Sequence, residues 1–180
     1  MRTRLETPRL MLRPFEETDV ATAFQWMSDP VVMQFMQFGA DTSIEMTRDR
    51  IERYRAHQTA HGFAKWLVVE RESGEAIGDA GLMMLPELGW IDLGYRLARH
   101  AWGHGYATEA ASAWIAFAND ARLCAAAEMP LGAFAHEDNH ASLRVLRKIG
   151  FREQRRDLVM DIPAIVFELP PDTTTSREVA

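Results

Sequence analysis

The amino-acid sequence predicts an α+β fold with a mostly antiparallel sheet flanked by helices. Three β-prone segments follow one another in the middle of the chain, joined by short turns that contain glycine, which is typical of an antiparallel meander. Helical patterns lie before and after this meander instead of alternating with its strands, so a doubly wound parallel sheet is disfavoured. A turn with two glycines then leads from the last meander strand into an alanine-rich helix.

The first third of the chain is predicted to form one strand and two helices. Leu10 and Leu12 fall on one face of a short strand. Thr18 is a candidate N-cap for the first helix, which ends before a proline. Thr42 and Glu45 have the spacing of a capping box at the start of the second helix.

The remaining two thirds supply most of the predicted sheet and two further helices. β-prone segments bounded by turn residues predict strands over residues 65–70, 76–85, 90–97, 131–135, 152–160 and 164–169. The glycine turn begins the third helix, and Gly150 is a candidate C-terminal cap of the fourth. We therefore expect a sheet of six to seven strands with about four helices, in one domain over residues 1–170. The polar residues 171–180 are predicted to be a disordered tail.

Composition and charge disfavour several classes of partner. The net charge of −6 disfavours a nucleic-acid partner. The only cysteine, Cys124, has no internal disulfide partner, which suits a reducing cytoplasm. No apolar run approaches membrane-spanning length, and the first residues lack a signal-peptide core. We expect a cytoplasmic protein without a membrane partner.

The segment with the clearest chemical meaning is the glycine turn over Trp102–Ala110. Gly103 and Gly105 are separated by one residue and precede a helix, so the turn exposes backbone N–H groups where a phosphate is held most easily. A Walker loop needs a Gly-Lys-Ser/Thr run that the chain lacks, and a dinucleotide fingerprint needs three glycines in a parallel unit. The turn therefore predicts another phosphorylated cofactor.

The sequence of this turn, Trp-Gly-His-Gly-Tyr-Ala-Thr-Glu-Ala, resembles the acyl-CoA pyrophosphate loop of the GNAT N-acetyltransferases. Trp102 stands where many members carry Gln or Arg, as it does in the branch of ribosomal-protein N-terminal acetyltransferases and their small-molecule relatives. Two further motifs are similar to that branch and follow its order: an opening strand over residues 6–13, and an Asn-x-x-Ser helix from Asn139 to Gly150-Phe151.

The resemblance implies a GNAT fold and transfer of an acetyl group from acetyl-CoA to a primary amine by direct attack. The amine would be a peptide N-terminus or a small molecule, and the protein a monomer or a homodimer. Backbone amides at the end of the meander would hold the pantetheine arm and the oxyanion. The implied contacts with acetyl-CoA are Tyr95, Arg96, Leu97, Trp102, Gly103, His104, Gly105, Tyr106, Ala107, Thr108, Asn139 and Ser142.

Two carboxylates are candidates for the general base that the amine requires. Asp92 occupies the glutamate position of the family's Glu-Ile-Gly-Tyr strand segment, and the alternative is a solvent-facing strand carboxylate. Asp161 lies near the final hairpin, where some members of the branch carry a base, and the alternative is a turn residue beside Pro163. Glu109 on the first turn of the cofactor helix is expected to have a structural or dipole role.

The acid that would protonate the leaving thiolate is less obvious. Many family members use a tyrosine on the last helix, at the position that Leu146 occupies in this chain. The resemblance suggests Ser142 as the substitute, since some members of the branch use this serine. The alternative is an ordinary serine at a helix start. These open roles leave a non-catalytic acyl-CoA-binding or regulatory protein as the second hypothesis.

His136 and His140 match the His-Glu-x-x-His signature of zinc hydrolases. That chemistry needs both histidines on one face of a continuous helix, whereas a strand and helix-starting residues are predicted here. We therefore expect no metal.

The first two helices and the final hairpin would line the acceptor site. Several apolar residues there form either a wall of this site or part of the core: Trp26, Met27, Met33, Phe35, Met36 and Phe38.

Overall fold

The computed structural model describes residues 3–171, and the predicted disordered tail falls outside the described residues except for residue 171. The strands are β1 (Leu5–Glu6), β2 (Leu10–Arg13), β3 (Lys65–Glu70), β4 (Ala76–Leu85), β5 (Trp90–Leu97), β6 (Leu131–His136), β7 (Arg152–Val159) and β8 (Ile162–Glu168). The helices are α1 (Val20–Met27), α2 (Pro30–Met33), α3 (Ile44–His61), α4 (Tyr106–Asp120), α5 (Leu123–Ala127) and α6 (His140–Lys148).

All eight strands form one mixed sheet in the order β1-β2-β3-β4-β5-β6-β8-β7, and only the β5–β6 pair is parallel. The predicted α+β class is confirmed. Residues 3–171 contain one or two more strands and two more helices than the sequence predicts. The missed elements β1, α2 and α5 have two, four and five residues. Such short elements carry no readable hydrophobic period.

The two faces of the sheet bury different helices because strand side chains alternate. On one face Trp66 of β3 packs edge-on against Trp114 of α4, with ring centroids 4.8 Å apart. On the other face Leu67 joins a core cluster with Trp26 of α1 and Ile51 of α3. No helix within residues 3–171 is long and apolar enough to cross a membrane.

Three predicted boundaries are wrong by one or a few residues. A 3₁₀ turn over Glu17–Asp19 precedes α1, so Thr18 is not its N-cap. The N-cap of α3 is Ser43, not Thr42. The last hairpin turns at Met160 and Asp161, which both have positive φ, and Pro163 lies within β8. Two-residue hairpin turns require this backbone conformation.

The parallel strands β5 and β6 separate soon after they meet. They pair only at Ile91 with Leu131 and at Asp92 with Gly132. The N–H of Ile91 donates to the Pro130 carbonyl on this side of β5. Because backbone N–H groups alternate in direction along a strand, the amides of Tyr95 and Leu97 also face the β6 side, beyond the last paired residue. The sheet therefore contains a gap edged by unpaired strand amides.

Candidate active site

A cavity of about 650 Å³ opens where the C-terminal end of β5 meets the N-terminal ends of α4 and α6. Its lining includes eleven of the twelve residues predicted to contact acetyl-CoA, and residues of α2 and the segment after it close one side. His104 is the exception. Its carbonyl accepts a hydrogen bond from Arg9 Nη1 at 2.8 Å.

The glycine turn has the backbone geometry that anion binding needs. Gly103 and Gly105 have φ values of 81° and 79°, in the left-handed region that favours glycine. The N–H of Glu109 donates to the Gly105 carbonyl and makes the first hydrogen bond of α4. The amides of residues 103–108 therefore have no acceptor within this helix, and they lie at its positive end.

Glu109 fastens this turn to the start of the sheet. Its carboxylate accepts hydrogen bonds from Thr7 Oγ1 at 2.5 Å, from the Arg9 amide at 2.9 Å and from Arg9 Nε at 2.7 Å. Burial acts to raise the pKa of Glu109, but these donors hold it below its ordinary value. Such a carboxylate is a poor base, and its contacts are those of a structural residue. The supporting roles of Thr7 and Arg9 were missed, although both lie in the opening-strand motif.

Trp102 and Tyr106 attach the two ends of the turn to neighbouring strands. Trp102 Nε1 donates to the carbonyl of Leu97 at 2.7 Å, at the end of β5. The Tyr106 hydroxyl donates to Glu70 on β3, and the Arg9 guanidinium lies 4.7 Å from the centre of the Tyr106 ring. The turn is thus held rigid on three sides before any ligand binds.

The predicted contact Arg96 contributes only its backbone to this side of the sheet. Its guanidinium lies on the opposite face, where it donates to Asp79 at 2.9 Å and to the Tyr54 hydroxyl at 2.7 Å. Its amide faces β4, because Arg96 pairs with Asp79 and the direction of the amides alternates. Of the three predicted amide donors, Tyr95 and Leu97 face the gap and Arg96 does not.

The Tyr95 side chain reaches the start of α6 across the cavity. Its hydroxyl lies 3.0 Å from Ser142 Oγ and donates to the Ser142 carbonyl at 3.2 Å. Burial raises the pKa of Tyr95 to about 12, although the Ser142 hydrogen bond opposes this shift. Asn139 caps α6, because its Oδ1 accepts a hydrogen bond from the Ser142 amide at 3.1 Å. Leu146, at the position of the family's tyrosine, is buried in the core.

Asp92 is buried on the face of the sheet that also carries the Arg96 side chain. The alternative of a solvent-facing carboxylate is therefore wrong. Its Oδ2 lies 3.7 Å from Lys65 Nζ, and its Oδ1 has no hydrogen-bond partner among the described residues. A Cβ at Gly94 would lie 2.1 Å from Lys65 Nζ, so the ammonium fills the space that a side chain there would occupy. Burial raises the pKa of Asp92 and lowers that of Lys65, while their mutual attraction opposes both shifts.

Neither candidate base belongs to the cavity lining. Asp92 lies on β5 below the lined stretch, which begins at Tyr95. Asp161 lies at the turn of the last hairpin, where its Oδ2 accepts a hydrogen bond from Gln37 Nε2 at 3.4 Å. The structure therefore brings Ser142 to the cavity but does not bring the two carboxylates into contact with it.

The His-Glu-x-x-His segment does not form the continuous helix that a zinc hydrolase needs. His136 ends β6, whereas His140 begins α6. Within residues 3–171, no cluster of three or more His, Cys, Asp or Glu could hold a metal ion. The predicted strand-to-helix junction is confirmed.

Two cationic residues of the cavity were missed by the sequence analysis. Arg144 and Lys148 line it from α6, one helical turn apart. With the glycine turn they give the cavity several groups that favour phosphate oxygens. The residues present therefore fit a phosphorylated ligand such as coenzyme A.

Comparisons with known proteins identify the family of the chain. The family profile of the acetyltransferase (GNAT) domain matches residues 9–152. The chain is 29% identical to YkkB of Bacillus subtilis, over 93% of this chain and 95% of the relative. It is 28% identical to the N-acetyltransferase p20 of Bacillus licheniformis, over 83% of both chains.

Solved structures have the same fold. An acetyltransferase from Agrobacterium tumefaciens superimposes with a TM-score of 0.77 at 25% identity, covering 93% of this chain and 94% of its own. The ribosomal L7/L12 α-N-protein acetyltransferase RimL in complex with coenzyme A gives a TM-score of 0.73 at 18% identity, covering 92% and 96%. Fold, cavity and matches together define an acetyltransferase. The chain belongs to the GNAT family, whose members use acetyl-CoA.

Proposed function

We propose that this protein is an N-acetyltransferase that moves the acetyl group of acetyl-CoA to a primary amine by direct attack. The observation that carries the proposal is the juxtaposition of the glycine turn with the gap between β5 and β6. The turn offers amides to a pyrophosphate, and the gap offers strand amides to the pantetheine arm and the thioester. One end of the cavity thus suits the donor, and the end lined by α2 is proposed for the acceptor.

The amide groups of Tyr95 and Leu97 are the proposed donors to the oxyanion. Attack of the neutral amine on the thioester carbonyl forms the C–N bond and places negative charge on oxygen. The carbonyl re-forms as the C–S bond breaks, the attacking nitrogen loses a proton to water, and the thiolate takes a proton. The Ser142 hydroxyl is the proposed proton donor, held in place by Tyr95, and it regains a proton from water. This assignment gives the serine a function beyond the helix start and does not need a tyrosine at Leu146.

Asp92 is the proposed general base, acting through water. An ammonium must lose its proton before attack, and a carboxylate with a raised pKa is a better base near neutrality than an ordinary one. The proposal rests on the burial of Asp92, the rise of its pKa and its position on β5 close to the gap. Because Asp92 does not line the cavity, one or more waters have to carry the proton.

Thiol release from acetyl-CoA, measured over a panel of primary amines, tests this function. We expect release that depends on the amine, and a loss of at least tenfold in kcat for Ser142→Ala. Ser28→Ala is the matched control, since this serine only donates to the Phe24 carbonyl at the end of α1. Tight acetyl-CoA binding without release for any amine would instead indicate the non-catalytic acyl-CoA-binding protein.

A further inference from the structure

The side chain of Lys65 extends across the sheet over two glycines. Lys65 of β3 pairs with Gly81 of β4, which in turn pairs with Gly94 of β5, so the three residues form one row across three strands. The Lys65 ammonium donates to the Gly81 carbonyl at 3.3 Å, and its Nζ lies 3.7 Å from Asp92 Oδ2 on β5. The lysine thus spans the width of β4 and ends beside a carboxylate of the next strand.

Gly81 and Gly94 leave the space that this lysine needs. Neither has a positive φ, so the backbone conformation does not require glycine at either position. A Cβ at Gly81 would overlap the Ala64 carbonyl and the Lys65 backbone, and a Cβ at Gly94 would overlap the Lys65 ammonium. The three atoms nearest to that second Cβ all belong to the side chains of Lys65 and Asp92. Gly81 therefore lets β3 approach β4 closely, and Gly94 lets the ammonium reach Asp92.

Lys65 is the cation that is paired with Asp92 on this face of the sheet. Burial raises the pKa of Asp92, while the Lys65 ammonium and, to a smaller extent, the Trp90 indole oppose this rise. The other charged or titratable groups near the pair come from β4, β5 and α3, and each is bonded to a residue outside the pair: Asp79, Arg96, Tyr54, Arg55 and His57. Among residues 3–171, no other cation is paired with Asp92.

We propose that Lys65 is a positioning residue for acetyl transfer, which holds the Asp92 carboxylate in place and keeps it ionised. The inference rests on the proposed function, in which Asp92 is the general base. A carboxyl group removed from water favours its neutral form, and a neutral carboxyl cannot accept the proton of an ammonium. The Lys65 ammonium opposes that effect from across the sheet. Lys65 does not line the cavity, so it acts through Asp92.

The pH profile of kcat for Lys65→Met tests this role. Methionine keeps an unbranched apolar side chain without the charge, and Asp92 can remain buried in its neutral form, so we expect the variant to fold. Because the base must be deprotonated, kcat rises with pH through its pKa. We expect this acid limb to move up by about 1 to 3 pH units, the amount by which an adjacent opposite charge shifts a carboxyl pKa, and kcat to approach the wild-type value at high pH. Thiol release at saturating acetyl-CoA with one amine gives both profiles, so the ionisation of that amine is common to them.

Gly94→Ala is a second variant, which moves the charge without removing it. Its Cβ would take the place of the Lys65 ammonium, whose flexible side chain has to give way. The acid limb should therefore move in the same direction as in Lys65→Met. Arg4→Met is the control, since Arg4 is exposed, pairs with Glu6 and lies at the β1 edge of the sheet, and its profile should match that of the wild type. In an Asp92→Asn background, Lys65→Met should change the profile no further.

The possible outcomes separate this inference from the proposed function. If Asp92→Asn lowers kcat but Lys65→Met leaves the acid limb in place, even with a uniform loss of kcat, the role of Lys65 alone is overturned. Full activity of Asp92→Asn overturns the role of Asp92 as base and that of Lys65 with it, while the transfer to an amine still supports the proposed function. No thiol release by the wild-type protein with any amine overturns the proposed function itself.

Discussion

The hydroxyl groups of Tyr95 and Ser142 determine, in the proposed reaction, how a proton reaches the leaving thiolate. The phenol has one proton and two acceptors within reach, Ser142 Oγ and the Ser142 carbonyl. When the phenol donates to Oγ, the serine proton is free to point into the cavity. Tyr95 is therefore a positioning residue that acts through Ser142, on a strand where the family resemblance suggested only a backbone role.

Tyr95→Phe should lower kcat about tenfold, because one hydrogen bond to a reacting group contributes about 1 to 1.5 kcal/mol. KM for acetyl-CoA should stay within about twofold. The double variant with Ser142→Ala should be no slower than Ser142→Ala alone, since the phenol acts through the serine. Multiplicative losses in the double variant would show that Tyr95 acts independently. With a pKa of about 12, Tyr95 should contribute no titration to the kcat profile below pH 10.

The element that fixes the donor site is the glycine turn before α4. Gly105→Ala adds a Cβ whose nearest neighbour, Arg9 Nη2, is 3.6 Å away, so space is not the obstacle. The left-handed backbone itself costs a non-glycine residue about 1–2 kcal/mol. Relaxation of this strain should move the amides and raise KM for acetyl-CoA severalfold in steady-state kinetics. Gly74→Ala carries the same strain in the β3–β4 turn, with φ of 73°, and should leave KM unchanged.

A second element, α3, is held by a buried ion pair that makes its stability depend on pH. Asp41 is 2% exposed and accepts hydrogen bonds from Arg50 Nη2 at 2.6 Å and Thr47 Oγ1 at 2.8 Å. Burial acts to raise the pKa of Asp41, but these donors hold it below its ordinary value. The stabilisation is thus fully present above the unfolded-state pKa of about 3.9, and it is lost as pH falls through the lower folded-state pKa.

Asp41→Asn should reduce the free energy of unfolding by about 3 kcal/mol at pH 7, because it leaves the largely covered Arg50 guanidinium without its charge partner. Urea unfolding at a series of pH values checks this. The penalty should begin to shrink as pH falls below about 4 and should be lost as pH falls through the lower folded-state pKa of Asp41, because the wild-type carboxyl becomes protonated over that range. Asp157→Asn removes an exposed ion pair and serves as the control with little effect at any pH. A penalty that is constant down to acid pH would contradict the role of the charge.

At the scale of the whole molecule, the sequence predicts the features that lie within short segments. It does not predict the contacts that depend on how distant strands are aligned in the sheet. The glycine turn, the Asn139 cap and the meander are encoded within short segments, and the structure has all three. Asp92 is buried beside Lys65, whose side chain extends from β3 over Gly94 of β5. This contact follows from the pairing of Lys65 with Gly81 and of Gly81 with Gly94, which the sequence alone does not show. The hydrogen bond from Gln37 to Asp161 likewise joins segments more than a hundred residues apart. Hydrophobicity alone could not separate the exposed Met36 and Phe38 from the core residues Trp26, Met27 and Met33.

The gap between β5 and β6, together with the glycine turn, places the donor and acceptor sites on one path through the molecule. The central claim is that an acetyl group passes along this path from acetyl-CoA to an amine. The ratio of acetylated amine, measured by mass spectrometry, to free thiol released in the same reaction tests that claim most directly. We predict a ratio of one for the wild-type protein, with both products lost in parallel in Ser142→Ala. Thiol release without acetylated amine, or neither product despite bound acetyl-CoA, would contradict it.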